Sequence, residues 1–94
     1  MNAMQSIVGI YKAKCGMRFD REVAEALGIN EQTFNKYMKG RSKLPDIAIA
    51  KIAEGAQLDA MQVIAATNLT CEKTPEEERP FWLDKLKLAT GQML

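Results

Sequence analysis

Apolar residues recur along this chain at three- and four-residue intervals, and nowhere alternate strictly with polar ones. No Val/Ile/Thr-rich run alternates with polar residues and no Asn-Gly or Asp-Gly hairpin appears, so the pattern predicts helices throughout. A first helix over residues 4–14 places Met4, Ile7, Val8 and Tyr11 on one face, with Gly16 ending it. A second begins near Asp20 as N-cap, presents Val23, Ala24 and Leu27 to a core, and stops at Gly28. Asn30 is the next N-cap, opening a third helix from Glu31 to about Lys39, with Thr33 or Phe34, Tyr37 and Met38 inward and Gly40 closing it. After the loop "RSKLPD", Asp46 is expected to cap a fourth helix whose inward face is Ile47, Ala50, Ile52 and Ala53, ending at Gly55. Asp59 with Gln62 forms a capping-box pattern for a fifth, with Met61, Ile64, Ala65 and Leu69 inward.

The tail follows a different pattern. Thr74-Pro75-Glu76-Glu77 reads as a capping box with proline at the first helical position and acids at the positive end of the helix dipole. Pro80 then predicts either a kink or a helix that begins there and runs to about Thr90. Phe81, Trp82, Leu83, Leu86 and Leu88 make a heavy apolar load for a last helix. Part of that load is expected on a second subunit, so Met61, Phe81, Trp82 and Leu86 are assigned to a dimer contact. The chain is accordingly divided into a helical domain over residues 1–73 and a helical extension over 74–94, packed on that domain or on a dimer partner.

Size changes this picture in one respect. A single domain of 94 residues buries only about 60 to 65% of its unfolded surface, so a partner subunit adds useful stability. No apolar run approaches the ~20 residues of a membrane helix and no secretory leader is apparent, so a cytoplasmic protein without membrane contact is expected. Cys15 and Cys71 lie far apart, fit no metal spacing and read as small apolar residues. Histidine, the commonest general base and metal ligand, is absent. No cofactor, metal or catalysed reaction is therefore expected. Net charge is +1, but it is unevenly spread: residues 1–45 hold eight Lys/Arg against four Asp/Glu, a net +4, and residues 46–94 hold five against eight, a net −3. A basic first half and an acidic second half imply different partners for each.

The candidate chemistry lies in "VAEALGINEQTFNKYMKGR", residues 23–41. Ala24 stands four residues before Gly28, where a small side chain lets two helices cross; Ile29, Phe34 and Tyr37 then supply the inner face of the second helix. This spacing predicts a steep helix–turn–helix corner. Its outward face would carry Glu31, Gln32, Asn35, Lys36 and Lys39. Glutamine and asparagine can grip adenine bidentately, lysine can reach guanine O6/N7, and glutamate can accept from cytosine N4. Arg41 and Lys43 beyond the helix, with Arg18 and Arg21 on the other flank, are placed for backbone phosphates. Double-stranded DNA is the partner these residue types suit. The plainer alternative for the same lysines is a solvated helix face, and the "EEER" run at residues 76–79 reads as a solvated helix start or an acidic docking surface.

The stretch "REVAEALGINEQTFNKYMKGRSKLPDIAIAKIAEGAQLDAMQVIAA" resembles the phage-repressor and Cro family of helix-turn-helix DNA-binding proteins, over about residues 4–69. Within it the chain looks most like small phage-related regulators with a "TPEE…FW…L" tail, here residues 74–88. The resemblance implies an all-α, five-helix domain with an additional C-terminal helix, dimeric operator binding and repression of transcription. It also implies base-reading positions at Gln32, Asn35 and Lys36, with Asn30 and Lys39 near phosphates. Three residues depart from the family pattern: Phe34 replaces a branched aliphatic, Asp20 replaces a phosphate-binding glutamine, and Glu31 opens the reading helix. Two rival functions share these residues. One is an antitoxin whose acidic second half neutralises a basic toxin; the other is a helical adaptor in which the corner is only structural.

Overall fold

The structure, a computed structural model, describes residues 2–90, the side chains of residues 88–90 excepted. It is all-α: α1 (Ala3–Cys15), α2 (Asp20–Leu27), α3 (Glu31–Met38), α4 (Asp46–Ala56), α5 (Ala60–Thr70) and α6 (Arg79–Thr90), with a short 3₁₀ turn at Glu76–Glu78 and no strand among the described residues. α5 lies in the middle, packed by α1, α4 and α6; α2 packs on α3 and α4. None of these helices is long and apolar enough to cross a membrane.

Helix starts follow local side-chain chemistry where a polar cap exists. Asn2 and Gln5 satisfy each other's backbone donors at the start of α1, at 2.8 and 3.1 Å. Asp59 and Gln62 do the same for α5, as expected. Two expected caps are displaced by one residue. α2 begins at Asp20, with Phe19 in the cap position, and α4 begins at Asp46, after Pro45. Both aspartates thus sit inside the first turn, where their charge favours the helix dipole without a cap hydrogen bond.

The core draws on every helix. Met4, Ile7, Val8 and Tyr11 of α1 are buried, as are Val23, Ala24 and Leu27 of α2 and Phe34 and Met38 of α3. The inner face of α4 differs from expectation: Ala48, Ile49, Ile52, Ala53 and Ala56 are buried, whereas Ile47 is 62% exposed and Ala50 is exposed. In so apolar a segment two stripes compete, and the one rich in alanine wins because it lets α1 come close. Gly55 does not end α4; it makes room for the Tyr11 ring, which an added Cβ would strike. The helix stops two residues later, at Gln57 in the left-handed region with φ 58°. On α5, Met61 is exposed, while Gln62, Val63, Ala65, Ala66, Thr67 and Asn68 are buried. A helix enclosed by three others shows no single inward stripe.

The tail differs from expectation at Thr74, Arg79 and Leu86. Thr74 caps nothing: it is buried and its hydroxyl has no hydrogen-bond partner. Pro80 is the second residue of α6, where a missing N–H costs no hydrogen bond, and the helix runs on to Thr90, which is the second of the two expected alternatives. Arg79, expected in a solvated run, donates to the carbonyls of Leu69 (2.8 Å) and Cys71 (3.2 Å) and so closes the C-terminus of α5. Leu86, assigned to a dimer contact, is 1% exposed within the chain itself. α6 lies along α5 and buries Leu86 in the common core, leaving no surface for a second subunit there. Of the other residues so assigned, Phe81 and Met61 are exposed and Trp82 is half-buried.

Arg79→Met should lower unfolding stability by about 2 kcal/mol, since two charge-assisted bonds are lost and the Leu69 carbonyl is left open. A urea titration with an unchanged midpoint would show that α6 holds to α5 without them.

Candidate nucleic-acid interface

The corner between α2 and α3 is set by backbone chemistry. Gly28 takes the left-handed conformation, φ 70°, that ends α2, and the N–H of Ile29 returns to the Ala24 carbonyl at 2.8 Å. Asn30 then starts α3, its side-chain oxygen accepting from Gln32 N–H (2.8 Å) and Thr33 N–H (3.4 Å). That oxygen is committed to the cap, so only the amide N–H₂ of Asn30 faces outward chemistry. Phe34 is fully buried, with Thr33 and Tyr37 half-buried. The rotation of α3 is thereby fixed, and Glu31, Gln32, Asn35, Lys36 and Lys39 all project as exposed residues. Among the described residues, none of these five side chains makes a hydrogen bond or ion pair within the chain.

The far end of α3 is pinned from three sides. Gly40, at φ 82°, lies so close to α5 that a Cβ would collide with the Thr70 carbonyl. The Gly40 carbonyl accepts from Glu72 N–H at 2.9 Å, and the Asn2 amide donates to the Met38 carbonyl at 2.9 Å. Arg41 N–H closes on Lys36 O at 2.9 Å, so the chain leaves α3 in a defined direction with Arg41 and Lys43 exposed beside it. Lys36, Lys39, Arg41 and Lys43 thus share one end of the molecule with the polar face of α3.

The other flank holds Arg18 and Arg21, both exposed. Glu22 organises this approach by accepting from the N–H groups of Phe19 (2.9 Å) and Arg18 (3.1 Å). These backbone bonds hold its carboxyl below the usual range, Phe19's first, with the nearby Arg21 and Arg18 charges adding to them. Asp20, which would repel a phosphate, is paired with Lys12. Two features here escaped the sequence reading. One is that ion pair, which joins elements no local pattern connects. The other is Phe19, 56% exposed with the Arg21 guanidinium 5.6 Å from its ring centre. The sequence signal for it was an aromatic residue at a helix start between two arginines, in "RFDR". Among the described residues, no cluster of Cys, Asp and Glu side chains could hold a metal ion.

Comparison with protein-family models, with curated proteins and with solved structures finds no match to this chain.

The Glu22 carboxyl is lowered in the folded chain, so its contribution is present at neutral pH and is lost as pH falls from its ordinary value of 4.5 through the folded value. Glu22→Gln should therefore unfold more easily than the parent protein at pH 7, and the gap should close toward pH 3. A gap of constant size in urea titrations across that range would assign the effect to shape and not to charge.

Proposed function

We propose that this chain binds duplex DNA sequence-specifically through α3 and acts as a transcriptional regulator of the phage-repressor type, as a homodimer on a palindromic operator. The observation that carries the reading is the outer face of α3: Glu31, Gln32, Asn35, Lys36 and Lys39 stand exposed together, without internal partners, on a helix whose rotation and both ends are fixed. A merely solvating face needs no such fixation. A groove reader does, because bidentate base contacts tolerate little misplacement.

In this reading Gln32 and Asn35 address adenine, Lys36 addresses guanine O6/N7, and Glu31 accepts from cytosine N4. Lys39, Arg41 and Lys43, the amide of Asn30, and Arg21 hold phosphates and set the register. The Lys12–Asp20 pair removes the objection that a carboxylate opens α2. Two copies bind half-sites about 10 base pairs apart, with their α3 helices about 34 Å apart; a molecule measuring 33 × 26 × 23 Å suits that spacing when two sit side by side. The exposed Phe81 ring, edge-on to Trp82 at 5.0 Å, is the apolar feature best suited to the dimer contact. No catalysed reaction, cofactor or membrane contact forms part of this function.

The antitoxin reading keeps the DNA-binding face and gives the tail to a basic protein. The exposed acids Glu76, Glu77 and Glu78 beside exposed Phe81 favour it. Co-purification with a basic partner under native expression would establish it.

Selection of duplexes from a random library should yield a palindrome, and log affinity should fall with log salt at a slope of about −0.9 per phosphate contacted. No enrichment above random duplex would make the corner a scaffold. Lys36→Ala should weaken operator binding by about 1 to 3 kcal/mol with Tm unchanged; a fallen Tm would give Lys36 a structural role instead. Phe81→Asp should convert the dimer to a monomer in sedimentation and reduce operator affinity roughly a hundredfold. A variant that stays dimeric places the interface elsewhere.

A further inference from the structure

Beside the N-terminal end of α3 lies an open cleft of about 530 Å³, lined by Lys12, Arg18, Phe19, Asp20, Arg21 and Glu31. It is unusual in composition for an exposed depression. Three cations face two acids there, but Asp20 is already neutralised by Lys12, which leaves Arg18 and Arg21 against Glu31. In the midst of these charges Phe19 turns 56% of its surface outward. An aromatic ring so placed contributes nothing to the core, and it is not loosely held: Glu22 fixes its backbone N–H at 2.9 Å. Arg21 lies over the ring, its guanidinium carbon 5.6 Å from the centroid. A cation–π contact of this kind limits the positions the guanidinium can take.

We infer that this cleft is a binding site for the sugar–phosphate strand bordering the major groove, with the Phe19 ring against a deoxyribose and Arg18 and Arg21 on the phosphates flanking it. The inference rests on the DNA-binding reading of α3 and extends it with an apolar contact. Glu31 belongs both to the cleft and to the outer face of α3, so a duplex seated on that face necessarily brings a strand to the cleft mouth. A deoxyribose offers C–H surface and no charge, which suits an aromatic face; its two phosphates suit the arginines on either side. Sugar and phosphate carry no direct sequence information, so the cleft adds affinity and register and leaves base choice to Gln32, Asn35 and Lys36. Glu31 opposes the phosphates, and its carboxylate keeps non-specific binding low.

The test uses the full chain, a selected duplex and a random-sequence duplex of equal length, read by fluorescence anisotropy across a salt series. Phe19→Ala should weaken binding to both duplexes by a similar factor, about fivefold for a ring face removed from water, with the salt slope and Tm unchanged. Arg21→Ala should make the slope shallower by about one phosphate contact. Undiminished binding by Phe19→Ala overturns the inference, and so does a loss confined to the selected duplex, since the ring would then be touching a base. An unaltered slope in Arg21→Ala also overturns it. Should the parent chain bind neither duplex, the DNA-binding reading fails at its root, an outcome distinct from each of these.

Discussion

Helix α5 is enclosed by α1, α4 and α6, and this enclosure carries polar groups into the core along with apolar ones. A buried polar group costs free energy unless it finds a partner, and the partners it finds here tie distant parts of the chain together. Thr67 donates to the Met4 sulfur at 3.6 Å, and at the edge of the core Thr70 accepts from the N–H of Met4 at 2.9 Å. Arg79 satisfies the carbonyls at the helix end. The Thr70 carbonyl also forms the wall against which Gly40 rests. The exit of α3 is therefore located by α5, and with it the direction in which the outer face of α3 looks.

That dependence gives the proposed interface its rigidity. A helix of eight residues is too short to be stable alone, and α3 is anchored in the core by Phe34 and Met38, with Tyr37 packed at its edge. Its start is held by Asn30, its finish by Gly40 and by the Asn2 amide, and each of these contacts is backbone-directed. Substituting the outward residues should thus alter recognition without disturbing the fold. The flank at α2 works by a different principle: its charges are arranged by neighbours, with Glu22 fixing the backbone, Lys12 neutralising Asp20 and Phe19 supporting Arg21. The tail shows a third arrangement, in which α6 buries one side through Leu86 and Trp82 and turns Phe81 outward.

The sequence by itself determined the number and type of the helices, the caps at Asn30 and Asp59, the turn at Gly28, and which residues of α1, α2 and α3 face inward. These follow from short-range chemistry: a 3.6-residue period, an oxygen within reach of a backbone N–H, a glycine where φ turns positive. On α3 the same local rule sufficed to name the outward set, because Phe34 and Met38 leave only one way to bury the helix. The tertiary structure alone decided the inner stripe of α4, the all-round burial of α5, the withdrawal of Leu86 from any dimer contact and the conversion of Arg79 into a cap. It alone joined Lys12 to Asp20 and left Phe19 standing in a charged cleft. Each of these depends on which helix lies against which, and where a segment is apolar on several sides its own period cannot choose among neighbours. The choice falls to close approach between elements far apart in the chain, as at Gly55 under Tyr11 and Gly40 against Thr70.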